Sequence, residues 1–170
     1  MDKDLTLSIQ ELSVQVGARS ILGPLSIQVR RGRWVSVLGK NGSGKTTLLK
    51  ELGFWKSPSV FRSSKTKGSV KLLGEDLETF SIEQKSQLLF YLPSEIHCAF
   101  PVSVKEWIQI GKRRVKEDCF RDKRILDELK IRPLMTRDLG TLSGGESQRV
   151  HLAMALMRNP SVLLLSLIHI

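Results

Sequence analysis

The 170-residue sequence predicts an α/β fold, on three observations. Apolar runs of strand length alternate with amphipathic runs of helix length, the order that builds layered α/β domains. A glycine-rich octapeptide, Gly39-Lys40-Asn41-Gly42-Ser43-Gly44-Lys45-Thr46, lies between an apolar run and a helical one. A glycine pair, Gly144-Gly145, opens a later helical run, which Asn159-Pro160 closes ahead of a last apolar stretch.

The elements follow in order. Residues 5–16 alternate well enough for one or two half-buried strands, and 25–29 for another. Gly32 turns the chain into Trp34-Val35-Ser36-Val37-Leu38, whose nearly continuous apolarity predicts a strand covered on both faces of a parallel sheet. A helix is expected from Thr46 to Leu52. Residues 57–67 are serine-rich and basic with no acid, which predicts an exposed loop, and 69–73 a short strand. Ser81-Ile82-Glu83-Gln84 is a capping-box start to a helix, and 88–92 is strand-like. Ser103-Val104-Lys105-Glu106 is a second capping box, opening a helix that carries Trp107 and Ile108. Residues 120–130 form an amphipathic helical run. Ser143-Gly144-Gly145-Glu146 is a third capping box, opening a helix through Met157, and Val162-Leu163-Leu164-Leu165 begins a buried strand. The helices of 103–140 suggest a helical insert.

Composition narrows the function classes. Hydrophobic residues make up 41% and aromatics 6%, ordinary for one soluble domain with a real core. The charged start, Met1-Asp2-Lys3-Asp4, does not suit a signal peptide, and no run approaches the ~20 apolar residues that span a bilayer. Cys98 and Cys119 fit no C-x-x-C pattern, which points to a reducing cytosol. The net charge of +10 fits either a phosphate backbone or an anionic inner leaflet. It is spread over Arg30-Arg31-Gly32-Arg33, 56–67 and 112–124 with no interleaved aromatics for base stacking, so nucleic acid is disfavoured. His97, His151 and His169 are scattered, and His97 beside Cys98 is too little for a metal site.

The octapeptide fits G-x-x-x-x-G-K-[ST] at every fixed position. Glycines let several backbone N–H groups converge on one anion, and the following helix aims its positive end at the same place. Lys45 is then placed for the terminal phosphates and the Thr46 hydroxyl for magnesium. The second motif, Leu142-Ser143-Gly144-Gly145-Glu146-Ser147-Gln148-Arg149, is on its own a good helix cap approached by glycines. A serine hydroxyl, glycine N–H groups and a helix N-terminus also favour a phosphate.

In this order the two motifs resemble the nucleotide-binding domain of an ABC transporter, over residues 5–164. The resemblance implies a P-loop NTPase core with a mainly parallel sheet, an N-terminal antiparallel β part and a helical insert at about 103–140. It implies ATP and Mg²⁺ as ligands, held by Gly39, Lys40, Asn41, Gly42, Ser43, Gly44, Lys45, Thr46 and Thr47. Leu142, Ser143, Gly144, Gly145 and Glu146 become the signature that contacts the ATP of a second subunit, so the active unit is a head-to-tail homodimer or heterodimer. Two positions depart from the family pattern. The magnesium- and water-contacting glutamine falls at Ser94, whose shorter side chain needs a bridging water. The adenine-stacking aromatic falls at about Val16, which forfeits ~0.5–1.5 kcal/mol of stacking.

The string Phe100-Pro101-Val102-Ser103-Val104 is similar to importers of iron-siderophore complexes, haem or cobalamin, or is simply a buried Phe beside a helix cap. Phe100 and Trp107 are expected in a groove for a cytoplasmic helix of a transmembrane permease subunit. The family's magnesium aspartate and catalytic glutamate fall at Ser166 and Leu167, so no catalytic carboxylate is present. Residues 165–170 spell what the transposon end used in DNA-library preparation encodes in one frame (CTG TCT CTT ATA CAC ATC). They are therefore expected to be a non-native tail on a partial domain of 1–164. The resemblance implies an ABC ATPase subunit, of an importer, peripheral on the cytoplasmic face of the inner membrane. Two rivals stay open: a soluble ABC ATPase acting on nucleic acid or ribosomes, and a non-catalytic pseudo-domain. The segment 100–107 and the lack of a long insertion between the motifs argue against the first.

Overall fold

β1 (Leu5–Val16) and β2 (Arg19–Arg30) form an antiparallel hairpin that turns at Gly17, where φ is +58. These and all further elements belong to a computed structural model that describes residues 4–53, 64–94, 101–112 and 119–166. β3 (Ser64–Leu72) pairs with the other edge of β1, and β4 (Glu75–Asp76) pairs with β3, giving the order β2-β1-β3-β4. β1 is central, and its Leu7, Ile9, Leu12 and Val14 are buried. Two irregularities shape this sheet. Glu11 has φ +51 where the β1–β3 register shifts, and a Cβ on Gly68 would stand 2.6 Å from the Gln10 carbonyl oxygen, so only glycine fits opposite it. On β2 the register jumps from Val14↔Leu22 to Gln15↔Ser20, which leaves Ile21 as the bulged residue.

α1 (Lys45–Leu52) buries Leu48 and Leu52. Its cap Gly53 lies so close to Tyr91 that a Cβ there would come within 2.6 Å of the tyrosine Cβ. α2 (Ile82–Leu88) leads directly into β5 (Leu89–Leu92).

The chain divides into two units, Met1–Tyr91 and Leu92–Ile170. The second contains α3 (Val104–Lys112), α4 (Cys119–Glu128), α5 (Gly144–Met157) and β6 (Val162–Leu165). Val104, Ile108, Ile125, Ile131, Val150, Ala153 and Met157 form its core. α3 and α5 meet at Gly111, where a Cβ would stand 2.3 Å from Met154 Cγ. The Arg158 guanidinium donates to the Gly111 carbonyl at 2.8 Å, and Lys112 pairs with the nearly buried Asp122 of α4. β5 and β6 make a two-stranded parallel sheet, at whose end the Ser166 amide donates to the Leu92 carbonyl at 2.9 Å. The architecture is thus mixed α/β, with an antiparallel N-terminal sheet and a small parallel one.

All three capping boxes form with reciprocal bonds. Ser81 pairs with Gln84, Ser103 with Glu106 and Ser143 with Glu146. Other expectations are corrected. β2 begins six residues earlier than Leu25, because pairing with β1 carries the strand to the hairpin turn. Residues 64–67 are strand rather than loop, since β1 supplies ladder partners for them, while 57–63 lie outside the described residues. Residues 34–38 form no strand, and Trp34 and Leu38 are each 90% exposed. A β-strand exists through its neighbours, and no described strand lies beside this segment, so apolarity alone does not order it. Trp107 packs half-buried on the core of the second unit, edge-on to His151 with centroids 5.7 Å apart. Phe100 lies outside the described residues.

Candidate nucleotide site

α1 begins differently from the capped helices. Its N-cap is Gly44 at φ +88, and no side chain accepts from its first-turn amides. Those amides have no acceptor within the helix, so they and the positive end of the helix dipole remain available to an anion. No acidic residue occupies the first turn to compete. Gly42 is also left-handed, at φ +80. A Cβ on Gly44 would meet the Ile21 carbonyl oxygen at 2.7 Å and Leu22 Cδ1 at 3.4 Å. A Cβ on Gly39 would meet Ser43 Oγ at 2.6 Å. Backbone conformation therefore favours glycine at Gly42 and Gly44, and at Gly44 close approach of the Ile21 carbonyl leaves no room for a side chain.

The Lys45 ammonium closes this loop. It donates to the carbonyls of Gly39 at 2.7 Å and Lys40 at 2.9 Å, and the Ser43 amide donates to the Lys40 carbonyl at 3.2 Å. A third donor position of the ammonium remains for a phosphate oxygen. Gly39, Lys40, Asn41, Gly42 and Ser43 are exposed, Gly44 is buried, and Lys45, Thr46 and Thr47 are half-buried. The Thr46 hydroxyl suits a hard cation that arrives with phosphate oxygens and water. Among the described residues no cluster of three or more His, Cys, Asp or Glu is able to hold a metal ion.

The second motif is built on the N-terminus of α5. Ser143 Oγ accepts from the Glu146 amide at 3.3 Å and donates to Glu146 Oε2 at 3.0 Å, while the Ser143 amide donates to the same oxygen at 2.8 Å. Arg137 donates to Glu146 Oε1 at 3.2 Å and to the Thr141 carbonyl at 2.7 Å. The Ser143 amide, then its hydroxyl, then Arg137 and Arg149 hold the Glu146 carboxyl below its usual range. Arg137 escaped the sequence reading because it lies outside any recognisable pattern and reaches the motif only through the turn at 139–141. Gly144 and Gly145 contrast with Gly44. Neither has positive φ, a Cβ on Gly144 would meet nothing within 4 Å, and one on Gly145 only Arg149 Nη1 at 3.9 Å. Nothing inside the described chain requires them to be glycine.

The remaining expected positions are dispersed. Val16 is half-buried at the end of β1, opposite Arg19. Ser94 is half-buried just after β5, and Ser166 is buried just after β6. Leu142 is half-buried and packs on the core of the second unit. His97, His169 and Leu167 lie outside the described residues. His151 is buried, its Nδ1 3.3 Å from Ser147 Oγ, and burial pushes its pKa down.

Comparison with known proteins agrees with this geometry. The family model described as ABC transporter matches residues 22–165. The haemin import ATP-binding protein of Pseudomonas entomophila (strain L48) is 33% identical over 154 residues, covering 88% of this chain and 58% of that protein. The zinc import ATP-binding protein of Jannaschia sp. (strain CCS1) is 32% identical over 161 residues, covering 94% and 58%. The cobalamin import ATP-binding protein of Halobacterium salinarum (strain ATCC 29341 / DSM 671 / R1) is 31% identical over 169 residues, covering 95% and 40%. The chain thus spans about 40–58% of the length of these relatives. Among solved structures, the ATP binding subunit of an ABC transporter superposes with a TM-score of 0.77 at 20% identity, covering 94% of this chain and 65% of that one. The cbiO1 protein of Clostridium perfringens gives a TM-score of 0.74 at 23% identity, covering 95% and 65%. The chain belongs to the ABC transporter family and carries that family's ATP-binding domain.

Proposed function

We propose that the whole protein is the ATP-binding subunit of an ABC importer, one that couples binding and hydrolysis of MgATP at a head-to-tail dimer to transport. The observation that carries ATP binding is the uncapped, glycine-walled N-terminus of α1 with Lys45 folded over it. In this reading the loop amides and Lys45 bind the β- and γ-phosphates, and Thr46 takes one position on magnesium. Ser143, Gly144 and Gly145 face the ATP held by a second subunit. The support for that role is that the glycine pair is exposed and unconstrained by its own chain, which leaves the backbone amides open to close approach from outside. Import is favoured by the names of the haemin, zinc and cobalamin relatives. The partners are then permease subunits, with the protein peripheral on the cytoplasmic face of the membrane. No described helix is long and apolar enough to cross it. Ser94 acts on the hydrated metal through a water. Residues 1–164 are a partial domain in this reading, and the carboxylates for hydrolysis belong at positions 166 and 167.

The dimer is tested by light scattering on full-length protein with ATP present. Gly145→Asp places bulk and negative charge where the partner's phosphate would lie, without a clash inside the chain. Loss of the ATP-dependent dimer with unchanged thermal stability is expected. Pairing that survives the substitution would reduce the second motif to a helix cap.

A further inference from the structure

The N-termini of α1 and α5 differ in the charge they carry. The first turn of α1 holds no acidic residue, whereas that of α5 holds Glu146. The Ser143 amide and hydroxyl both donate to Glu146 Oε2 and hold the carboxyl below its usual range, so it is ionised at neutral pH. A carboxylate here suits the helix dipole, and for that reason it competes with any phosphate drawn to the same end. It also takes the Ser143 hydroxyl proton, at 3.0 Å, which a phosphate oxygen would need. Arg137 binds the other oxygen of this carboxylate. Its Nη1 donates to Oε1 at 3.2 Å, and its Nη2 is fixed by the Thr141 carbonyl at 2.7 Å. Thr141 ends the turn that directly precedes Leu142, so this turn carries the guanidinium to the helix end. Arg149 adds positive charge from α5 itself, and a Cβ on Gly145 would stand 3.9 Å from its Nη1.

We propose that Arg137 is a positioning residue for the second motif: by offsetting the Glu146 carboxylate, it lets the helix cap and an incoming phosphate share the N-terminus of α5. This rests on the reading of that motif as a contact to the ATP of a second subunit. Arg137 acts through Glu146 rather than on the phosphate itself. Its charge cancels the repulsion of the carboxylate. Its bond to Oε1 keeps Glu146 on the Ser143 amide when the Ser143 hydroxyl turns to the phosphate.

The test is sedimentation velocity of full-length protein with ATP, for Arg137→Ala, Arg137→Gln and Arg137→Lys, with ATP affinity of the monomer followed by calorimetry. Arg137→Ala should weaken ATP-dependent pairing at least about fivefold, the effect of one partly exposed ion pair, and leave monomer affinity within about twofold. Arg137→Gln keeps a hydrogen-bond donor without the charge, and should pair as weakly as Arg137→Ala. Arg137→Lys keeps the charge, and should pair within about twofold of the unsubstituted protein. Raising salt from about 0.1 M to about 1 M should narrow the gap between Arg137→Ala and the unsubstituted protein, since screening weakens a charge effect and spares a packing one. Equal thermal midpoints check the fold. Arg137→Gln pairing as tightly as the unsubstituted protein, Arg137→Lys pairing as weakly as Arg137→Ala, or a gap indifferent to salt would make Arg137 a hydrogen-bonded strut and overturn the proposal. So would unchanged pairing of Arg137→Ala where Gly145→Asp abolishes it, a result that leaves the reading of the motif intact. If the unsubstituted protein forms no ATP-dependent pair, that reading fails and the proposal falls with it.

Discussion

Gly44 and Gly144 are one residue type under opposite constraints. At Gly44 the backbone is left-handed and a side chain would strike the Ile21 carbonyl, so Gly44→Ala combines conformational strain with a clash. It should lower stability by about 1–3 kcal/mol and weaken ATP binding, as denaturant unfolding and calorimetry will show. At Gly144 neither constraint exists, and alanine suits the first turn of α5 better than glycine. Gly144→Ala should therefore leave stability unchanged or slightly raised while weakening ATP-driven pairing. His151 gives a pH signature. Burial depresses its folded-state pKa below the usual value of about 6.5, so the unfolded chain binds the proton more readily. Its contribution is fully present above pH of about 6.5 and is lost as pH falls through the depressed value. Melting temperature should fall between pH 7 and pH 5, and a His151→Gln protein should lose part of that slope.

At the scale of elements, local chemistry was legible and partnership was not. Three capping boxes were readable because each depends on two residues three apart, and all three form. The phosphate loop was readable for the same reason: its glycines, Lys45 and the start of α1 lie within eight consecutive residues. Residues 34–38 and the early part of β3 were misjudged because strand pairing is decided by distant chain. The same limit hid the edge-on contact between Trp107 and His151 of α5. It also hid the close approach of Met154 to Gly111. A Gly111→Ala side chain would enter the Met154 side chain where α3 and α5 touch, so overpacking should cost about 1–3 kcal/mol. A lowered midpoint in urea, with an unaltered slope, is the expected result.

For the whole molecule, the binding and hydrolytic parts separate. In the function proposed above, the cradle and the second motif are the binding parts, and positions 166 and 167, here Ser166 and Leu167, are assigned to the carboxylates that polarise the attacking water. The 170-residue chain should bind ATP yet release no phosphate above background in a continuous phosphate assay. Turnover at ordinary ATPase rates would mean that another residue supplies the base. The most direct measurement is equilibrium binding of ATP to Lys45→Ala protein, with circular dichroism as the control for fold. Lys45 is the cation folded over the cradle, bonded to the Gly39 and Lys40 carbonyls. Its removal should weaken ATP at least about tenfold, the loss of a charge-assisted bond to phosphate. Affinity within about twofold of the unsubstituted protein, in a chain that remains folded, would contradict the assignment of residues 39–46 as the phosphate site.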